Sequence, residues 1–156
     1  MWGNIPYAQL NQTRLLSVHA DAKSFEFTGE GAPVYAAKLG LTQYRRTLRY
    51  AAGKLTVDDS IASKEPHTFT EVLHSDTTIQ QQGTANSFIF PVNGVPLHVQ
   101  LLVPPNAVSK IEPNVVMGPG RPGSVDKGTP ETRGERLTES TSQPASSASF
   151  DWQLEF

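Results

Sequence analysis

The sequence contains no cysteine, so disulfides, thiolate metal sites and a cysteine nucleophile are all excluded. That absence suits a reducing cytosol and a periplasm equally and does not choose between them. No apolar run approaches the ~20 residues needed to span a bilayer. Charge of one sign is also lacking: 13 Lys and Arg against 15 Asp and Glu leave a formal net charge of -2. Nothing in that balance calls for a polyanion over the whole surface, and no nucleic-acid or membrane partner is expected. The start, Met1-Trp-Gly-Asn-Ile-Pro-Tyr7, has neither a basic n-region nor an apolar h-region, so no signal peptide is expected in this chain. Gly-x-Ser-x-Gly, a phosphate-binding glycine loop and His-Glu-x-x-His are likewise missing. Sustained helical periodicity is absent too, Ala32–Leu39 being the best of several poor candidates.

Short β-type runs broken by turn residues fill the chain. Strands are expected at Arg14–Ala20, Ser24–Thr28, Val34–Leu39, Leu41–Tyr50, Lys54–Asp59, Thr68–His74 and Thr77–Gln81. Further strands are expected at Ser87–Val92, Pro96–Val103, Lys110–Glu112, Val115–Met117, Glu135–Thr141 and Ser149–Phe156. The sharpest turn signal is Asn93-Gly94, a pair suited to a two-residue type I′ hairpin because both positions need positive φ. About a dozen short strands in 156 residues imply an all-β, two-sheet antiparallel β-sandwich, supersandwich-like in size. Residues 1–12 read as an extension or linker and 13–156 as one sandwich domain. The Gly- and Pro-rich stretch 118–134 reads as a long surface loop, and Ser140 to Ser149 as an exposed hairpin tip.

Two strands carry a charge on the face that should be buried. Period-2 reading groups Tyr44, Arg46, Leu48 and Tyr50, and after the turn Ala51-Ala52-Gly53 it groups Leu55, Val57 and Asp59. An unpaired buried ion costs several kcal/mol, so Arg46 and Asp59, of opposite sign on hairpin-linked strands, are expected to meet. One reading makes them a buried pair that sets strand register. The other makes them part of a charged binding face that His67 and His74 join.

Four histidines, His19, His67, His74 and His98, are spread over several expected strands. Asp58 or Asp59 with His67 and His74 would make a metal site only if neighbouring strands bring them together. The spacing of His67 and His74 places them on opposite faces of one extended strand, which argues against both being ligands. Tyr35, Tyr44, Tyr50, Trp2 and Trp152 are either sugar-stacking platforms or core aromatics. Arg121, Lys127, Arg133 and Arg136, in or beside the long loop, are cations suited to a carboxylated or sulfated ligand.

Taken together, Tyr35–Leu39, Tyr44-Arg-Arg-Thr-Leu48, Leu55-Thr-Val-Asp-Asp59 and Pro66-His-Thr-Phe-Thr-Glu-Val-Leu-His74 resemble the C-terminal β-sandwich of heparinase II/III-like polysaccharide lyases. Arg133-Gly-Glu-Arg-Leu137 leading to Ala148-Ser-Phe-Asp-Trp-Gln-Leu154 fits the same pattern. The resemblance covers roughly residues 13–156. It implies a β domain packed after an N-terminal α/α toroid, in a periplasmic or secreted parent that cleaves acidic polysaccharides by β-elimination. That reaction needs a base at C5 of the uronate and a group that neutralises its carboxylate. In the family these lie mainly in the toroid, so no catalytic residue is assigned here and the fragment alone is expected to be inactive.

What the resemblance leaves to this chain is one wall of the glycan cleft, with Tyr44, Arg46, His67, Arg121 and Arg133 as substrate-binding residues. Some relatives bind a divalent metal, zinc or calcium, in this sandwich through His and Asp ligands. Asp59 and His74 are the matching candidates, although Tyr44 stands where some relatives carry His. The alternative is a stand-alone carbohydrate-binding or structural scaffold module.

Overall fold

The computed structural model describes residues 12–83, 86–118 and 132–156, with the side chains of 36–38 and 117–118 left out of the description. Among the described residues it is an all-β sandwich of two antiparallel sheets. The strands are β1 (Arg14–Ala20), β2 (Ser24–Glu30), β3 (Leu41–Ala51), β4 (Lys54–His67), β5 (Thr70–Ser75), β6 (Gln80–Gln81), β7 (Ser87–Val92), β8 (Val95–Val103), β9 (Val108–Gly118), β10 (Thr132–Ser140) and β11 (Ala145–Glu155). The larger sheet has eight strands in the order β1-β2-β3-β4-β11-β8-β7-β6, and the smaller has three in the order β5-β10-β9. The expected N-terminal extension and the tip of the expected long loop, with Trp2, Arg121 and Lys127, lie outside the described residues.

Alternation decides which residues face inward. Phe88 and Phe90 on β7, Val99 and Leu101 on β8, Phe150 and Trp152 on β11, and Ile61 on β4 are buried against Leu137 of the smaller sheet. These are the period-2 apolar positions of each strand, so the core forms where two pleated faces meet. The smaller sheet covers only part of the larger one. On β1 and β2, Leu15, Val18 and Phe25 point to the same side as the core yet remain exposed.

Turn chemistry matches the hairpins. Asn93 and Gly94 have φ of 51° and 81°, as a type I′ turn demands. The β3–β4 turn uses the same geometry with Ala52 at φ 52° and Gly53 at φ 82°, an unfavourable place for an alanine Cβ.

Several expectations are corrected. Val34–Leu39 is not a strand, because Ala32–Leu39 forms a helix, α1. The Glu30 carboxylate accepts the Ala32 backbone N–H at 2.8 Å, Pro33 sits in the first turn, and Gly40 at φ 65° ends the helix. Lys110–Glu112 and Val115–Met117 are one strand, β9, interrupted at Pro113-Asn114, where Asn114 takes φ 60°. A proline is tolerated there because β9 is an edge strand. Ser140–Ser149 is not a hairpin tip: β10 pairs in the smaller sheet and β11 in the larger, so residues 141–144 cross between sheets. Finally, β4 runs on to His67, with a bulge that sets Ala62 opposite Ser147 and His67 opposite Ala145.

At Gly134 on β10 the backbone of the β5 end comes close. A Cβ built there would lie 2.0 Å from the Ser75 carbonyl oxygen, whereas one at Gly29 would meet nothing nearer than 3.4 Å. Gly134→Ala should therefore destabilise the protein by about 3 kcal/mol through forced separation of β10 from the end of β5. Gly29→Ala should stay within about 1 kcal/mol of the parent. Urea unfolding midpoints compare the two, and equal effects would refute the close approach.

Candidate functional site

Arg46 and Asp59 are direct cross-strand partners in the β3–β4 register, flanked by Tyr44 opposite Ile61 and Leu48 opposite Val57. The guanidinium is bidentate: Nε donates to Asp59 Oδ1 at 2.8 Å and Nη2 to Oδ2 at 2.5 Å. The same Nη2 donates to Glu71 Oε2 at 3.0 Å, so one cation joins the two sheets. Asp59 is fully buried, while the Arg46 side chain is 41% exposed. The pair therefore sets register, as the first reading from sequence expects, and also presents one edge of a guanidinium to solvent; the histidines of the second reading do not join it.

Around this pair lie groups that sequence reasoning missed. Glu71 on β5 is opposite Glu139 on β10, so both carboxyls point into the space between the sheets. Glu139 is completely buried and accepts from one hydroxyl, that of Ser109, at 2.7 and 2.9 Å. The clue was available, since both acids share a strand face with core leucines, Glu71 with Leu73 and Glu139 with Leu137.

Electrostatics follow from this crowding. Burial first, then the nearby Asp59 charge, push the Glu71 carboxyl up to about 7 against the pull of Arg46. Burial also raises Glu139, with Ser109 opposing. The buried Tyr44 phenol is pushed up to about 12, burial outweighing Arg46. It keeps its proton in neutral solution and is therefore an O–H donor rather than a base.

Tyr44 is held on three sides. Glu30 Oε1 accepts its backbone N–H at 2.8 Å, Gly31 N–H donates to its carbonyl at 2.8 Å, and Tyr35 of α1 meets its ring edge-on at 6.1 Å.

The other candidates are dispersed. His67 is exposed, its ring set edge-on to Phe69 at 6.4 Å. It pairs with Ala145, five positions from the Phe150 that faces Asp59, which is roughly 15 Å along the strand direction. Arg133 is exposed at the far end of β10, its Nη1 donating to the Asn114 carbonyl at 2.9 Å. Arg136 is taken by Glu112 at 2.5 Å on the outer face of the smaller sheet.

The metal pairing of Asp59 with His74 is corrected. Leu73 packs into the core, so the next residue, His74, points out on the opposite face, where it sits across from Arg136. Asp59 lies inside and is consumed by Arg46. The smaller sheet separates the two side chains, and among the described residues no three His, Asp or Glu side chains are grouped to hold an ion. The aromatics also divide: Trp152 is core, whereas Tyr50 is half-exposed and stacks on Phe25 at 5.7 Å.

No family model matches the chain, and no curated protein does. Solved structures do share its fold. A heparinase III superposes with a TM-score of 0.71 at 9% identity, over 92% of this chain and 21% of that one. The heparan sulfate lyase HepC from Pedobacter heparinus gives 0.70 at 13% identity, again over 92% of this chain and 21% of that one. The chain thus spans about a fifth of the length of these structures. At such identities the likeness is one of fold.

The asymmetry of exposure predicts unequal mutants. Arg46→Met leaves Asp59 buried without a cation and should cost about 3–5 kcal/mol. Asp59→Asn leaves Arg46 paired with Glu71 and half in water, so it should cost only about 1–2 kcal/mol. Replacing both by apolar residues should cost less than Arg46→Met alone. Denaturant titrations of the three variants test the order, and an Asp59→Asn loss equal to that of Arg46→Met would contradict it.

Proposed function

We propose that this chain is the non-catalytic β-sandwich of a polysaccharide lyase related to the heparinases, forming one wall of a cleft for acidic polysaccharide. The observation that carries the reading is the extent of the likeness: nearly all of this chain matches only a fifth of a heparinase III. In this reading the parent supplies an N-terminal α/α toroid with the base for β-elimination, and works in the periplasm or outside the cell. The β-sandwich contributes binding. Arg46 presents the guanidinium edge not used by Asp59 and Glu71, and Tyr44 adds a phenol that stays protonated. Arg133 and His67 are more distant contacts along an extended glycan, with Arg121 beyond the described residues.

A second reading, a stand-alone carbohydrate-binding or scaffold module, is favoured by the stacked Phe25–Tyr50 pair. Both rings are more than a third exposed beside the β1–β2 turn that carries Lys23.

Heparan sulfate and other uronate polymers mixed with the purified chain should yield no unsaturated, ultraviolet-absorbing ends. The chain should be retarded on immobilised heparan sulfate at low salt, and less so as Arg133→Ala or Tyr44→Phe. Robust β-elimination would move the reaction into the β-sandwich, with Tyr44, His67 and His74 as first suspects. No retention at any salt would remove the wall role.

A further inference from the structure

Two carboxyls and one cation, Asp59, Glu71 and Arg46, meet between the two sheets, and a third carboxyl, Glu139, is buried on the strand beside Glu71. The larger sheet contributes Arg46 and Asp59, and the smaller contributes Glu71 and Glu139, which face each other across β5 and β10. Their polar surroundings are few. Arg46 Nη2 reaches Glu71, the Ser109 hydroxyl reaches Glu139, and Tyr44 stands beside Arg46 with its phenol neutral. The apolar neighbours are Phe150, directly opposite Asp59, and Leu73 and Leu137 beside the two glutamates. His74, Lys110, Glu112 and Arg136 are on the outer face of the smaller sheet and do not face this space.

One guanidinium cannot neutralise both Asp59 and Glu71, and Glu139 is bonded to a neutral hydroxyl rather than a cation. A single hydroxyl has one proton to give, so it cannot satisfy both oxygens of an ionised, fully buried Glu139. Proton retention is the arrangement that closes this charge balance. With Glu71 and Glu139 protonated, Arg46 and Asp59 form a neutral pair, and the two acids become donors and acceptors within the interface.

We propose that Arg46, Asp59, Glu71 and Glu139 form a proton-operated clasp, which holds the three-stranded sheet on the eight-stranded sheet while the two glutamates are protonated and loosens it when they ionise. The device is independent of any ligand and of the function proposed above. Its sign follows from linkage. Glu71 binds its proton more tightly in the folded protein, at about 7, than at its ordinary value of 4.5. The folded state therefore holds more protons than the unfolded one across that window, and stability falls as pH rises through it. Glu139 is raised for the same reason and acts in the same direction. Asp21 and Glu112 are held below the usual carboxylate range by their donors, so they act with the opposite sign and only in acid.

Hydrogen-exchange protection factors of the chain between pH 5 and 8.5 test the clasp. Each proton released on opening lowers protection tenfold per pH unit. Amides of β5, β9 and β10 should lose protection by up to ~100-fold per unit where both glutamates titrate, while those of β3, β4 and β11 lose much less. Glu71→Gln should cut the slope to at most ~10-fold per unit, and the double variant with Glu139→Gln should flatten it. If Glu139→Gln fails to fold, Glu71→Gln and the unmodified chain decide the matter. A slope unchanged by Glu71→Gln, or protection lost equally in both sheets, overturns the proposal.

Discussion

The fold turns on the bidentate grip of Arg46 on Asp59. Because the two are direct partners, the pair allows only one register of β3 on β4. β4 is paired on its other side with β11, where Phe150 stands opposite Asp59 and Trp152 opposite Val57. β11 in turn sets Trp152 against Leu101 and Leu154 against Val99 of β8. A slip of one residue at the ion pair would invert the faces of β3 or β4 and turn the neighbouring apolar side chains toward water. The same guanidinium then reaches Glu71 and fixes how the second sheet sits. A single side chain thus constrains register within one sheet and alignment between two.

Its unequal burial follows from the unequal width of the sheets. Three strands cannot cover eight, so the core lies over β4, β11, β8 and β7, and β1 and β2 keep Leu15, Val18 and Phe25 exposed. β3 runs along the margin between the covered and uncovered halves. Asp59, one strand further in, is sealed, while Arg46 spans the margin and keeps an edge in water. α1 adds a partial roof at that boundary, resting Tyr35 on Tyr44 with Glu30 tied to the backbone of both segments. The margin is therefore where a rigid, half-exposed polar surface can exist in a sandwich whose other inward positions are either dry or apolar.

Much of this was legible in the residues, and the failures have physical causes. Strands with clear alternation or a diagnostic turn, such as Ser87–Val92 and the Asn93-Gly94 hairpin, came out at their observed positions. So did the meeting of Arg46 with Asp59, because the penalty for an unpaired buried ion leaves little choice. Val34–Leu39 misled because β-branched and aromatic residues suggested a strand, while the helix is decided by its ends, Glu30 and Gly40. Asp59 and His74 look adjacent in a pattern of strand ends, but His74 follows the inward Leu73 and must face out. The crossing at 141–144 resembled a hairpin because polar, turn-rich sequence does not say which sheet the next strand will join. Glu71 and Glu139 passed unnoticed although they obey the same alternation as Arg46. An acid among core leucines was as informative as an arginine among tyrosines.

The protonation states that this architecture imposes bear on what its exposed edge can do. Removing a proton from carbon near neutral pH needs a group that releases and accepts protons in that range and can touch the substrate. Tyr44, pushed up to about 12, holds its proton too firmly. Burial pushes the Glu71 carboxyl up to about 7, but it is mostly buried, with Oε2 bonded to Arg46 and Asp59 close by. Its perturbed proton affinity comes from the inter-sheet packing and points inward. What faces outward at this margin is one edge of the Arg46 guanidinium, a fixed cation, while the Tyr44 phenol beside it is partly buried and keeps its proton. The interaction that holds the two sheets together thus also leaves one cationic edge in water and turns the group whose proton affinity it perturbs inward.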